Sequence, residues 1–156
     1  SLGSAIDPHL AWLLERGVKT LAVRVERQCR NALGLARALE GRPGIRSVIH
    51  PGLESHPDHA LAMELMGGAS GMLSIVVEGG DERAVRVMER FRLIRVAPSL
   101  GGVESLASMP RYTSHRHLSD DERAALGIEP GFIRISIGIE DEADLLADLE
   151  HALGAA

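Results

Sequence analysis

The stretch FIRISIGI, residues 132–139, is the clearest strand signal in the chain. Isoleucine alternates with other residues along it, and the side chains of a strand point alternately to opposite faces of the sheet. The isoleucines therefore share one face, which we expect to be buried against helices. This set consists of Ile133, Ile135, Ile137 and Ile139.

The opposite face of the same strand carries one charged residue. Arg134 lies there with Phe132, Ser136 and Gly138. Small neighbours leave a guanidinium accessible, and its planar set of donors suits a carboxylate. Two interpretations are open at this point. Either Arg134 binds an anion, or it is an ordinary arginine on a solvated face of the sheet.

A glycine-rich loop comes before this strand in the chain. Residues 97–106, APSLGGVESL, follow a predicted strand at once. Gly101 and Gly102 permit backbone conformations and a close ligand approach that a side chain would prevent. Ser99 is then expected on a loop at a strand end, where binding sites are frequent. The alternative interpretation is an ordinary turn.

Helix and strand signals alternate along the rest of the chain. Asp7-Pro8 is a helix start signal, and Ser119-x-x-Glu122 is a capping box before a short helix that ends at Gly127. The order predicts an α+β domain led by one long helix, with a break near Gly17 or Arg27 left open. Helices are expected on one face of the sheet. The predicted strands are 45–50, 72–78, 93–97 and 132–139, and the other predicted helices are 7–39, 57–66, 81–91 and 141–153.

Composition limits the classes of partner. The formal net charge of the 156 residues is −5, which does not favour nucleic-acid binding. No apolar run approaches the roughly 18 residues that a membrane span needs. The opening SLGSAIDPHL has neither the basic nor the apolar region of a signal peptide. We therefore expect a cytoplasmic protein without nucleic-acid or membrane partners.

The histidine pairs and the single cysteine offer weaker candidate sites. His56-x-x-His59 and His115-x-His117 have the spacing of paired metal ligands, but no third ligand is evident. Surface or turn histidines are the favoured interpretation, and no metal is expected. Cys29 is the only cysteine, so it forms no intrachain disulfide and is expected to be a buried or half-buried thiol.

Several blocks together resemble one enzyme family. SLGGVESL, a proline followed by TSH, R-x-x-x-GI and FIRISIGIEDEADLLADLEHAL resemble the C-terminal region of the pyridoxal-phosphate (PLP) dependent enzymes of cysteine and methionine metabolism, the cystathionine gamma-synthase and gamma-lyase family. Residues 5–39 are similar to the helix that joins the large and small domains of that family. HPGLESHPDHALA and GASGMLSIVVEGG are similar to the blocks that follow. The resemblance covers essentially the whole chain in unbroken order.

The resemblance implies the small C-terminal domain of a fold-type-I PLP enzyme, with a short-stranded, mainly antiparallel four-stranded sheet. Residues 1–40 would form the connecting helix and residues 41–156 the small α+β domain. The PLP-binding large domain would lie outside this chain. The complete protein would be a homotetramer. For this chain alone we expect a dimer or a larger species, or a disordered start before about Gly17, because the leading helix has too many apolar positions for one stripe against a small sheet.

The resemblance also implies chemistry: elimination or replacement at the β or γ carbon of sulfur-containing or activated homoserine amino acids, with PLP as cofactor. Arg134 would bind the substrate α-carboxylate, and Ser99 and Leu100 would lie beside the substrate. The Schiff-base lysine of the family lies upstream, and Lys19, the only lysine here, belongs to a different block. We therefore expect no catalytic or cofactor-binding residue in this chain, no bound PLP and no activity of the chain alone. Pro98 stands where many gamma-lyase-like members have glutamate, which favours slightly a gamma-synthase or a sulfhydrylase.

A second functional class is a non-catalytic small-molecule-binding or regulatory domain. A sheet with helices on one face occurs in many small-molecule sensors, and a fold does not determine a function. A lysine-bearing block of a PLP enzyme upstream of Ser1 would favour the enzyme over this alternative.

Overall fold

The structure is a computed structural model that describes residues 5–154 and shows an α+β fold. Within that range, helices and short strands follow one another, and a 3₁₀ turn lies at Pro110–Tyr112. The elements are α1 (Pro8–Val18), α2 (Leu21–Leu39), β1 (Ile45–Ile49), α3 (His59–Leu65), β2 (Met72–Val77), α4 (Gly80–Arg90), β3 (Arg95–Val96), β4 (Leu106–Ser108), α5 (Asp120–Ala125), β5 (Phe132–Ser136) and α6 (Glu142–Leu153).

The sheet has five strands in the order β1-β2-β5-β4-β3, so the prediction of four strands was wrong. The missed strand is β4, whose three residues are too few to show a period. It is defined by its antiparallel pairing with β5 and its parallel pairing with β3. The other neighbouring strands are antiparallel. The sheet is therefore mixed, because the loop after β3 returns the chain to run alongside β3 in the same direction.

Strand β5 lies in the middle of the sheet, and its alternation is confirmed over most of its length. Ile133, Ile135 and Ile137 are buried in the core. The expectation failed at Ile139, which is exposed. The strand ends at Ser136, and the chain then leaves the sheet, so that the Ile139 amide donates to the Val103 carbonyl instead of a strand partner.

The hydrophobic core lies between the sheet and helices α2, α4 and α6. Buried apolar residues of β2 and β5 meet buried residues of these three helices on one face of the sheet. Burial of this kind is the main favourable term in folding. The helical contributors are Ala32, Leu35, Ala36, Leu39, Ala84, Val87, Met88, Leu145, Leu149 and Ala152.

The leading segment forms two helices, so the prediction of one helix over residues 7–39 was wrong. The interruption lies at Lys19 and Thr20, close to the break left open near Gly17. The Thr20 hydroxyl and the Arg24 guanidinium both donate to the Gly17 carbonyl, which removes that acceptor from the helical ladder. The predicted start is confirmed, since Asp7 caps α1 and Pro8 is its first residue. Within residues 5–154, no helix is long and apolar enough to cross a membrane.

One further cap agrees with the sequence, and one buried carboxylate that the sequence did not predict holds a turn. Ser119 and Glu122 form the predicted capping box at the start of α5, with reciprocal hydrogen bonds between side chains and backbone amides. Asp148 of α6 is buried, and its carboxylate accepts hydrogen bonds from the amides of residues 92, 93 and 94. This side chain joins α6 to the turn that leads into β3.

His50, directly after β1, is fully buried and carries a testable pH dependence. Its Nδ1 accepts from the Gly52 amide, so Nε2 carries the proton and donates to the Ser70 carbonyl at 2.8 Å. Burial lowers the pKa of His50, despite an opposing effect of the Ser70 hydrogen bond. The unfolded chain therefore binds the proton more readily than the folded chain. We expect the free energy of unfolding to fall as the pH drops below about 6.5, the ordinary histidine pKa.

Urea unfolding of this chain at pH 8 and pH 5.5 measures that dependence. In His50→Gln the difference between the two pH values is expected to shrink. His117→Gln, at an exposed position, should keep the wild-type difference and serves as the control. An unchanged difference in His50→Gln would show that other groups cause the effect.

Candidate functional site

Arg134 lies on the face of β5 opposite to the helix-covered core. In the sheet register it stands between Ser74 of β2 and Ser108 of β4. Its Nη2 donates to the Ser99 carbonyl at 3.3 Å, and its buried Nε has no hydrogen-bond partner among the described residues. No carboxylate in residues 5–154 forms an ion pair with it. The guanidinium therefore has donors available for an anion.

The structure brings Arg134 and Ser99 together, 35 residues apart in sequence. The contact uses the backbone carbonyl of Ser99. Ser99 and Leu100 are both exposed on the loop between β3 and β4. The two sequence-predicted segments thus meet on one face of the sheet, although the roles of Arg134, Ser99 and Leu100 stay predictions.

Two buried side chains hold the glycine-rich part of this loop, and sequence reasoning missed both. The Ser136 hydroxyl accepts from the Gly101 amide at 2.9 Å, and the Gln28 side-chain amide donates to the Gly102 carbonyl at 2.6 Å. Gly101 has a φ of +77°, a conformation in which other residues are strained. Ser136 lies on β5 and Gln28 on α2, so the loop is tied to two elements of the fold.

The end of the loop is tied to the segment after β5. The Glu140 carboxylate accepts from both the amide and the hydroxyl of Ser105, at 2.6 and 2.9 Å. The same hydroxyl accepts from the Gly138 amide, and Asn31 of α2 donates to the Gly138 and Glu140 carbonyls. These bonds leave little freedom for residues 102–105 to move relative to β5.

An open cleft of about 340 Å³ adjoins Arg134. Its far wall comes from the segment after β4, which contributes a second cation, Arg116. Sequence reasoning did not select Arg116, although it directly follows the quoted TSH motif. Beyond Pro98 and Tyr112 lies an apolar cavity of about 480 Å³ between α4 and the edge of the sheet. The cleft is lined by Pro98, Tyr112, Thr113, Ser114, Arg116 and Arg134.

Ion pairs hold the wall segment in place. Arg111 contacts Asp81 at 3.0 Å and Asp120 at 2.6 Å, and Arg123 contacts Asp120 at 2.8 Å. Hydrogen bonds from Arg123 and then Arg111 lower the pKa of Asp120. His115 contributes a local contact, with its Nδ1 at 2.8 Å from the Ser114 hydroxyl.

The remaining sequence candidates do not form a site in the described structure. His56 precedes α3, where its Nδ1 accepts from the Asp58 amide, while Nδ1 of His59 contacts the Pro51 carbonyl at 2.9 Å. Residues 5–154 contain no group of three side chains that could hold a metal ion. Cys29 is half-buried in α2, and burial raises the pKa of its thiol.

The residues of this chain do not fit PLP by themselves. PLP chemistry needs a lysine at the cofactor, and Lys19 stands at the exposed end of α1 in an ion pair with Glu15 at 3.1 Å. It is not among the residues that line the Arg134 cleft. The cleft has a cation suited to a carboxylate but no nucleophile of that kind.

Comparison with known proteins gives consistent matches over the whole chain. The profile of the Cys/Met metabolism PLP-dependent enzymes matches residues 1–154. The chain is 44 % identical over 156 residues to a mouse (Mus musculus) cystathionine gamma-lyase, covering 100 % of this chain and 39 % of that protein. It is 44 % identical over 153 residues to a Coxiella burnetii cystathionine beta-lyase, covering 98 % and 40 %.

A solved structure agrees with these matches. The crystal structure of a cystathionine gamma-lyase from Micromonospora echinospora superposes with a TM-score of 0.87 at 41 % identity, covering 93 % of this chain and 38 % of that one. The chain thus spans about two fifths of the length of these relatives. The profile match over residues 1–154 shows that the chain belongs to the family of Cys/Met metabolism PLP-dependent enzymes.

Proposed function

We propose that this chain is the small C-terminal domain of a PLP-dependent transsulfuration enzyme and that Arg134 binds the substrate α-carboxylate. The complete protein would catalyse elimination or replacement at the β or γ carbon of a sulfur-containing or activated homoserine amino acid. Relatives named cystathionine gamma-lyase and cystathionine beta-lyase support this class of reaction. They are enzymes, so they do not favour a non-catalytic regulatory domain.

One observation carries the proposed role of Arg134. Its guanidinium faces an open cleft and has no paired carboxylate among the described residues. Holding a half-buried cation without an anion costs folding free energy, and a bound carboxylate would remove that cost by pairing with the guanidinium. Ser99 and Leu100 would lie beside the bound substrate, at the rim of the cleft. The test is Arg134→Lys in the complete protein, and wild-type kcat/KM in that variant would contradict the proposal.

The proposed domain division is residues 1–40 as a connecting helix and residues 41–156 as the small domain, with the PLP-binding domain outside this chain. The exposure of α1 supports a connecting role, because none of its residues is buried. The second half of α2 differs, since Leu35, Ala36 and Leu39 belong to the core of the small domain. The second half of α2 therefore packs with the small domain, while α1 does not.

We predict that the chain alone does not hold PLP, because it lacks a lysine at the cleft. Mixed with PLP, it is expected to show no stable, stoichiometric absorbance band of a lysine Schiff base. The matched variant is Lys19→Ala. A band that is lost in this variant would report labelling of the exposed Lys19. A stable band that persists in Lys19→Ala would contradict the prediction.

We further propose that the complete protein is a homotetramer and that this chain alone forms a dimer or a larger species through α1. Large apolar side chains along α1 and the start of α2 are exposed. Burying such surface in an interface contributes about 25 cal/mol of favourable free energy per Å². A patch of a few hundred Å² is enough to drive association. These side chains are Leu10, Trp12, Leu13, Leu14, Val18, Leu21, Val23 and Val25.

Light scattering measures this association. Leu10 and Leu14 are one turn apart and share a face of α1. The double variant Leu10→Gln, Leu14→Gln is expected to shift the chain toward the monomer. Leu126→Gln, at an exposed position after α5, should leave the assembly unchanged. A strictly monomeric wild type at high concentration, with α1 fully protected from hydrogen exchange, would contradict the proposal.

A further inference from the structure

Ser136 and Arg134 are two residues apart on β5 and therefore point to the same face of the sheet. Ser136 is only 2 % exposed, and its hydroxyl accepts a hydrogen bond from the Gly101 amide at 2.9 Å. Gly101 lies two residues after Ser99, whose carbonyl accepts from Arg134. One strand thus carries both the cation and the side chain that holds its contact loop.

The start of this loop has few other attachments among the described residues. Ser99 and Leu100 are exposed, and a Cβ at Gly101 would meet no atom within 4 Å. Gln28 holds the next residue, through the Gly102 carbonyl. The nearest anchors of Ser99 are therefore the hydrogen bond from Gly101 to Ser136 on one side and that from the Ala97 amide to the Ala107 carbonyl, at 3.0 Å, on the other. Without the bond to Ser136, the Ser99 carbonyl can move relative to the guanidinium.

We propose that Ser136 is a positioning residue for carboxylate recognition: it fixes the Ser99 carbonyl and thereby orients the Arg134 guanidinium toward the cleft. This inference rests on the proposed function of Arg134. The Ser99 carbonyl occupies one Nη2 donor and limits rotation of the planar group. The remaining donors then face a bound carboxylate in a defined orientation, which a bidentate contact requires.

The chain offers a closely matched control. Ser108 of β4 stands opposite Arg134 in the sheet and is also 2 % exposed, but its hydroxyl has no hydrogen-bond partner among the described residues. Ser108→Ala and Ser136→Ala therefore remove the same atom from equally buried neighbouring positions. They differ in whether the lost hydroxyl holds the loop.

The test is ligand binding to the complete, PLP-loaded protein, measured by calorimetric titration. L-alanine has no leaving group at a β or γ carbon, and L-alaninamide differs from it in carrying a neutral amide in place of the carboxylate. The ratio of their Kd values measures the preference for a carboxylate. Ser136→Ala is expected to lower this preference about tenfold, the effect of one well-placed hydrogen bond. Ser108→Ala is expected to keep the wild-type ratio.

The other outcomes separate this inference from the proposed function. An unchanged ratio of the two Kd values in Ser136→Ala, including the case in which both ligands bind more weakly by the same factor, would overturn the positioning role. Should Ser136→Ala fail to fold, Ser136→Cys has nearly the same size but a poorer acceptor, and a wild-type ratio in that variant would overturn it as well. Arg134→Lys tests the site itself. If the ratio survives in Arg134→Lys, the proposed function of Arg134 fails.

Discussion

Replacing Arg134 with lysine in the complete protein is expected to lower kcat/KM by about 30- to 700-fold, which corresponds to about 2–4 kcal/mol of transition-state stabilisation. Lysine keeps the charge but loses the planar fork that holds a carboxylate with two parallel hydrogen bonds. In the wild type, one Nη of Arg134 donates to the Ser99 carbonyl while the other N–H groups stay available to the cleft. Lysine has a single nitrogen and loses this arrangement. The measurement is steady-state kinetics with a saturating supply of PLP.

Arg46→Lys is the control for this substitution. Arg46 also lies on a strand and also donates to a backbone carbonyl, that of Pro130 at 3.1 Å. It differs in being paired with a carboxylate, Glu129 at 2.6 Å. Arg46→Lys is therefore expected to keep wild-type kcat/KM. Similar losses in both variants would mean that arginine replacement acts through stability, and the assignment of Arg134 would fall.

Replacing Gly138 with alanine is expected to lower the free energy of unfolding by about 3 kcal/mol, the cost of overpacking a rigid site. A Cβ at this position would overlap the Val103 carbonyl oxygen and lie 2.7 Å from the backbone carbonyl carbon of Glu104. These are backbone atoms of the loop that Ser105 and Glu140 hold against the end of β5. Relief of the overlap therefore requires the loop to shift, and we expect carboxylate binding by the complete protein to weaken too.

Urea unfolding of the chain measures the stability effect, and Gly17→Ala provides the comparison. A Cβ at Gly17 meets no atom within 4 Å, and its backbone is helical. That variant is expected to be neutral or stabilising by up to about 1 kcal/mol, because alanine is the better helix former. A Gly138→Ala variant as stable as Gly17→Ala would show that the loop yields at little cost.

Local patterns account for the parts of the fold that could be predicted. The Asp7-Pro8 start and the Ser119–Glu122 box depend on side chains that bond to amides two or three residues away, so they can be read from adjacent positions. The alternation in residues 132–137 reflects burial on one face and placed Arg134 on the other. The break at Thr20 was also local, but its competing hydrogen bonds give no periodic signal.

The sequence by itself determined most of the helices, four of the five strands and the face of β5 that carries the arginine, because these properties follow from periodicity and capping among near neighbours. Only the tertiary structure decided that β4 is a strand, that Arg134 meets the backbone carbonyl of Ser99, and that Ser136 and Gln28 hold the loop between them. Each of these contacts joins residues far apart in the chain. Their partners are backbone groups, which every residue possesses, so no side-chain pattern marks them until the packed sheet and helices bring them within hydrogen-bond distance.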